Sequence, residues 1–295
     1  MKERGLLNDV AEPSVKLFEG ERWLILTGLF GIVLAVFTAV VIYFQGPIVL
    51  PEGNLESAFS FNAAVGIYIL SIAAILPLAK LTVRKRKVIR RLFIVSSLYS
   101  YGIESIQHLR GLNPRFSVEG SLVDMIAGML FGVISLLLVI LALVLTIQFF
   151  RIKSPYERPL IILGIRYAFF SILVGNLAGI WMIVLQGRFT GDMGNLIVLH
   201  GIGFHALQTL ILPAWFLENS QVKDRLKKTL IHYGSIAWIV SIILIGFQTA
   251  LGRTVFELSA LPILTGIVLF IWLGATIMSF VLFVRKEKIK RALFN

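Results

Sequence analysis

The sequence predicts an all-α membrane protein, a bundle of about eight transmembrane helices with both termini cytoplasmic, and three observations carry that prediction. Eight apolar runs each approach or exceed the roughly 20 residues needed to cross a bilayer. The composition is 57% hydrophobic and 15% charged with mean hydropathy +0.88, far from the mix of a soluble domain. Of 28 Lys and Arg residues, 23 fall in alternate gaps between the runs, at 1–22, 80–91, 151–158, 223–228 and 285–291, whereas the other gaps hold Arg110, Arg115, Arg188 and Arg253. Basic residues concentrate on the cytoplasmic side of short loops, which fixes the threading.

The expected organisation is a cytoplasmic segment 1–23, a single helical domain 24–284 and a basic cytoplasmic tail 285–295. The first run, 24–45, follows a mixed-charge stretch with Glu12, Glu19 and Glu21 and no small-residue cleavage site, so it reads as a retained helix. A second run covers 60–79. The third, 91–109, follows Arg84-Lys85-Arg86-Lys87 with Arg90 and Arg91, read as a lipid-facing loop with affinity for anionic headgroups. Runs four and five, 122–150 and 160–186, are the longest. They carry Gly128-x-x-x-Gly132 and Gly175-x-x-x-Gly179, are joined around Pro155 and Pro159, and are expected to cross closely through these small residues. In the sixth run, 196–217, Pro213 crowds the carbonyl of Thr209 and should loosen the helix between them. The runs 230–251 and 257–284 complete the set. Each outward-running helix ends in Gln followed by Gly: Gln45 and Gly46, Gln107 and Gly111, Gln186 and Gly187, Gln248 and Gly252. Interfacial polarity with a glycine helix stop explains this layer, and so does an ancestral hairpin repeat.

Several chemistries are excluded. Without cysteine there is no disulfide, thiolate nucleophile or Cys-ligated metal. No P-loop, H-E-x-x-H or G-x-S-x-G occurs. The net charge of +12 does not indicate nucleic-acid binding, because the basic residues sit in short loops beside spans; the expected partners are the bilayer and its anionic headgroups.

Ionisable groups inside spans need a partner, a route to water or a function. In the third span Ser97, Tyr101, Glu104 and His108 share one helical stripe, which must face protein or a hydrated cavity. The sixth span runs the opposite way and brings His200 and His205 to depths matching His108 and Glu104. If these two helices are neighbours, Glu104, His108, His200 and His205 form a four-group site below the outer surface, with Gln208 on the same helix and Arg110, Arg115, Asp124, Asp192 and Asn195 at its mouth. A five-residue separation turns His200 and His205 about 140° apart on a regular helix, so a shared metal would need a π-bulge near Gly201 and Gly203. Arg166 can snorkel to headgroups or serve as a counter-ion. His232 is expected at the interface, and Asn176 as interhelical glue.

The segment Gln107-His108-Leu109-Arg110-Gly111 with Phe116, a Q-x-x-R-G-x4-F pattern, and His205-Ala206-Leu207-Gln208 resemble motifs of an uncharacterised family of bacterial multi-pass membrane proteins. Arg166 also resembles an arginine of that group, while Pro114-Arg115 and Gly194-Asn195 depart from it. The resemblance implies a bacterial inner-membrane location and a site at these residues, and it implies no activity. Three functions fit the residues. A proton-coupled small-solute transporter or sensor would work through Glu104 and His108. A redox protein would hold b-type haem or a transition metal by His108, His200 and His205 with Glu104. An outer-leaflet hydrolase would use Ser105, His108 and Asp124.

Overall fold

The computed structural model describes residues 15–153 and 158–294, with side chains as far as Arg285. Residues 1–14, the loop around Pro155, and the tail's side chains therefore lie outside the described residues. Among the described residues the elements are helices and two short hairpins, joined by loops. Helix α1 spans Arg22–Gln45, and strands β1 (Ile48–Val49) and β2 (Gly53–Asn54) lead into α2 (Leu55–Ile75), which tightens into a 3₁₀ turn over Leu76–Ala79. Then follow α3 (Val83–Leu109), α4 (Leu122–Arg151) and α5 (Pro159–Leu185). A second hairpin, β3 (Phe189–Thr190) with β4 (Gly194–Asn195), precedes α6 (Leu196–Thr209), α7 (Ile211–Glu218), α8 (Asp224–Ala250) and α9 (Ala260–Phe294).

Seven segments among the described residues are long and apolar enough to cross a membrane, counting α2 with its 3₁₀ turn and α6 with α7 as one each. The protein is thus an all-α, multi-pass membrane protein by architecture and composition. Helix α3 falls short of that criterion because its first turns are basic and its remaining length carries the polar stripe. Those basic residues form the start of α3, capped by the Thr82 hydroxyl, and not a loop. Two of them close on α1: Arg86 and Arg90 both reach the fully buried Glu21 carboxylate, at 2.6 and 2.5 Å. Helix α6 ends at Thr209 and α7 begins at Ile211, so the chain breaks where Pro213 would otherwise disrupt the ladder.

The glycine pairs behave differently from the expectation that α4 and α5 meet through them. A Cβ at Gly132 would meet nothing within 4 Å, and one at Gly128 would approach only the loop carbonyls of Pro114 and Arg115. Gly175 instead lies against Gly203 of α6, whose Cβ would come within 2.7 Å of the Gly175 Cα. Small residues permit close approach, but which helix approaches is set by the connection, and the hairpin brings α6 back along α5. A similar close approach joins α1 and α2, where a Cβ on either Gly28 or Gly66 would sit 2.9 Å from the other's carbonyl oxygen.

The glutamine–glycine layer marks a repeated unit. Gln45, Gly46, Gly53, Asn54 and Leu55 recur 141 positions on as Gln186, Gly187, Gly194, Asn195 and Leu196. Moved by the same 141 positions, α3 (Val83–Leu109) coincides with α8 (Asp224–Ala250). The register repeats too, with Ile48 opposite Asn54 and Phe189 opposite Asn195. The amide of Leu55 donates to Pro47 and that of Leu196 to Arg188, both at 2.8 Å. The Glu52 amide donates to Gly111 and the Met193 amide to Gly252, at 2.7 and 2.9 Å. Both receiving glycines have positive φ, 79° and 72°, which glycine adopts without the Cβ penalty. The bundle is therefore two halves of four helical segments each, counting α6 with α7 as one, and each half is clamped at one end by a hairpin tucked under the turn between its third and fourth segments. The halves join where α2 meets α6 and α4 meets α5.

Candidate functional site

The hairpin end of the first half gathers the polar residues of α3. Ser97, Ser100, Tyr101 and Glu104 are 0% exposed and His108 is 3% exposed, so the stripe read from helical spacing faces the interior. Helix α3 packs against α1, α2 and α4. Room for the Tyr101 ring is made by Gly31 of α1, where a Cβ would sit 2.5 Å from the phenolic oxygen.

Three groups form the centre. The Glu104 carboxylate receives the Arg115 guanidinium at 2.7 Å on Oε2. His108 Nε2 lies 3.3 Å from Oε1, off the line of a hydrogen bond. The backbone amide of Asn54 donates to His108 Nδ1 at 3.0 Å. With Nδ1 accepting, a neutral imidazole carries its proton on Nε2, the nitrogen facing Glu104. The first hairpin thus sets the tautomer as well as the ring's position. Arg115 lies over the rings of Phe61 and Phe131, with centroid distances of 5.4 and 5.1 Å, cation–π contacts that hold a guanidinium at the rim of an apolar environment. Asn62 of α2 donates to Ser105 at 2.9 Å and leaves its carbonyl oxygen without a protein partner.

Beside this centre lies a supporting network. Asp124 caps α4 through a reciprocal box with Ser121 and also receives Arg110 at 2.6 Å and Gln107 at 2.9 Å. Glu52, on the first hairpin, accepts from the Ser117 hydroxyl at 2.5 Å and from the amides of Val118 and Asn113 at 2.8 and 3.1 Å. Burial works against its ionisation, but these bonds prevail and hold its carboxyl below the ordinary value.

The remaining predicted residues lie elsewhere. Helices α3 and α6 make no extended contact; α2 packs against both. His200 Nδ1 bonds the Gly175 carbonyl of α5 at 2.8 Å. His205 is exposed and meets Gln208 at 3.3 Å, while Gln208 also donates to Ser71 of α2. Helix α6 is regular through these positions, with no π-bulge, so the two imidazoles point apart. Among the described residues no three His, Asp or Glu side chains are grouped to hold a metal. The proposed ligand set of Glu104, His108, His200 and His205 is therefore not grouped as a metal site. Asp124 is committed to Arg110, Gln107 and Ser121, so the Ser105, His108 and Asp124 triad is not assembled either.

Arg166 donates to two carbonyls at the end of α4, that of Phe149 at 3.2 Å and that of Ile152. It caps orphan acceptors where the helix dipole is negative, and among the described residues it pairs with no carboxylate. His232 meets the Tyr167 hydroxyl at 2.8 Å.

Asn62 and the role of Arg115 as the partner of Glu104 were missed by sequence reasoning. Depth would have found Asn62, which lies seven residues beyond the hairpin end of α2 and so near the level of Glu104, five residues from the same end of α3. The contact of Arg115 depends on the fold of the 110–121 loop, which no periodicity encodes. Compared with known proteins, the chain matches no family model, no curated protein and no solved structure.

Proposed function

We propose that the Glu104–His108–Arg115 centre is a proton-exchange site of a membrane transporter or sensor for a small polar solute, opening toward the hairpin end of the bundle. The observation that carries this reading is a fully buried carboxylate with one oxygen committed to Arg115 and the other facing His108 Nε2 without a bond. Such a carboxylate can take up or release a proton toward a solute's polar group, while the Nε2–H of His108 and the Arg115 guanidinium stand ready to stabilise its ionised form.

The second half supports the reading. At the positions equivalent to Glu104, Tyr101 and Ser97 it carries Ile245, Ile242 and Trp238, and at that of His108 it carries Thr249, yet it builds the same hairpin, turn and helix. The scaffold does not need the polar centre. A burden that one half carries and the other omits is a burden kept for chemistry.

In this reading both termini and the basic start of α3 lie on the cytoplasmic side of a bacterial inner membrane. The basic residues lie among anionic headgroups there, and α3 is the eighth span. Infrared difference spectra of the purified protein, titrated from acid to alkaline pH, test the site. A carboxyl carbonyl band that titrates in the wild type, vanishes in Glu104→Gln and shifts in His108→Gln is expected. A spectrum indifferent to Glu104→Gln would remove the proposal.

A further inference from the structure

We infer that Asn62, Ser97, Ser100, Tyr101 and Glu104 line a file of bound water inside the first half, along which an excess proton moves between Glu104 and the middle of the membrane. This rests on the proton-exchange reading and adds the ligand, water, and the route.

The inference starts from how buried hydroxyls on helices are satisfied elsewhere in the chain. Thr27, Thr38 and Thr146 each donate to the carbonyl one turn back, at 2.8 Å. Ser241 and Ser279 do the same at 2.7 Å. That bond is always within reach of a helical Ser or Thr. Ser97 and Ser100 are fully buried and do not take it; both hydroxyls lack a protein partner. Ser241 is the positional equivalent of Ser100 in the second half, and it does take the bond. The same helical position therefore makes opposite choices in the two halves, and the difference follows the polar stripe.

The unpartnered atoms form a line. Asn62 Oδ1, Ser97 Oγ, Ser100 Oγ, Tyr101 OH and Glu104 Oε1 are all buried without a partner, as is Tyr68 OH further along α2. Leaving one buried polar atom unpaired costs about 1–3 kcal/mol, so four on the α3 stripe and a fifth on α2 would be a heavy load for a dry interior. Water with two to four polar neighbours removes that cost. From Ser97 to Glu104 the helix rises about 10 Å, the length of roughly three to four hydrogen-bonded waters. At the hairpin end the file reaches Arg115, whose side chain is 34% exposed. At the other end it closes: the next stripe positions of α3 are Phe93 and Ile89, and Tyr68 packs its ring against Phe93 and Phe204 at 6.2 and 5.1 Å. The file is a well open to one side, and a proton passes further only if that aromatic contact moves.

Radiolytic hydroxyl-radical footprinting of the full chain in detergent tests this, because radicals born in bound water oxidise the buried side chains beside it. Trp238 is the control: it is buried, intrinsically reactive, and stands at the position equivalent to Ser97. Tyr101 is expected to be oxidised several-fold faster than Trp238, and the double variant Ser97→Val with Ser100→Val is expected to slow Tyr101 oxidation several-fold. Tyr101 as inert as Trp238, or unchanged in the double variant, would overturn the file. A dry Tyr101 alongside a Glu104-dependent carboxyl titration would refute the route and leave the proton-exchange site standing. Fast Tyr101 oxidation without that titration would do the reverse.

Discussion

Glu104 was identifiable in the sequence because a carboxylate inside an apolar run is expensive, and the helical repeat then linked it to His108, Tyr101 and Ser97 on one face. The His200 partner was not legible in the same way, since a backbone carbonyl of Gly175 leaves no mark on side-chain periodicity. Removing Arg115 would strand a buried carboxylate. Arg115→Ala is expected to lower stability in detergent by up to about 3 kcal/mol, less than for a fully enclosed pair because the guanidinium is one-third exposed. Chemical unfolding of the two proteins would measure it. Glu52 offers a pH-dependent counterpart. Its folded-state carboxyl sits below the ordinary value, so its stabilising contribution is complete above the ordinary carboxylate range and fades as pH falls through the folded value. Protection of the Asn113 and Val118 amides, taken relative to the intrinsic exchange rate at each pH, should fall on acidification in the wild type. In Glu52→Gln that protection should be low at every pH.

At the scale of elements, the helices were legible because their apolar lengths matched a bilayer, and Pro213 marked the break between α6 and α7 one turn ahead of itself. The hairpins were too short for any alternating pattern to reveal them, although the glutamine–glycine layer marked where they stand. Each hairpin is wedged so closely beneath its neighbouring turn that a side chain cannot fit. A Cβ at Gly53 would lie 2.5 Å from the His108 carbonyl oxygen, and one at Gly194 would lie 2.5 Å from that of Thr249. Gly53→Ala and Gly194→Ala should therefore destabilise their halves by similar amounts, about 1–3 kcal/mol each, measured by unfolding in detergent. Only Gly53→Ala is expected to disturb the carboxyl titration, because His108 belongs to the first half alone. Arg166 belongs to this scale as well. Arg166→Gln would free the last carbonyls of α4 and lower stability by on the order of 1–3 kcal/mol, while the Glu104 titration stays as in the wild type.

For the whole molecule, two halves built on one plan carry unequal chemistry. The duplicated frame accounts for hairpin register, turn glycines and helix length, all of which recur at an offset of 141 positions. The Glu104–His108–Arg115 centre and the Ser97 and Tyr101 hydroxyls do not recur, and Ser241, the equivalent of Ser100, is hydrogen-bonded. Composition predicted a membrane bundle, but it could not show that the bundle was two units, because α3 and α8 share length and position while differing in nearly every buried side chain. The most direct test gives the first half the second half's residues: Glu104→Ile and His108→Thr, with Arg115→Met to remove the remaining charge. Replacing a buried ion pair by apolar groups is often neutral or stabilising, so this triple variant should unfold at or above the wild-type temperature and show no titrating carboxyl band. A variant that fails to fold, or one that still shows the band, would contradict the account.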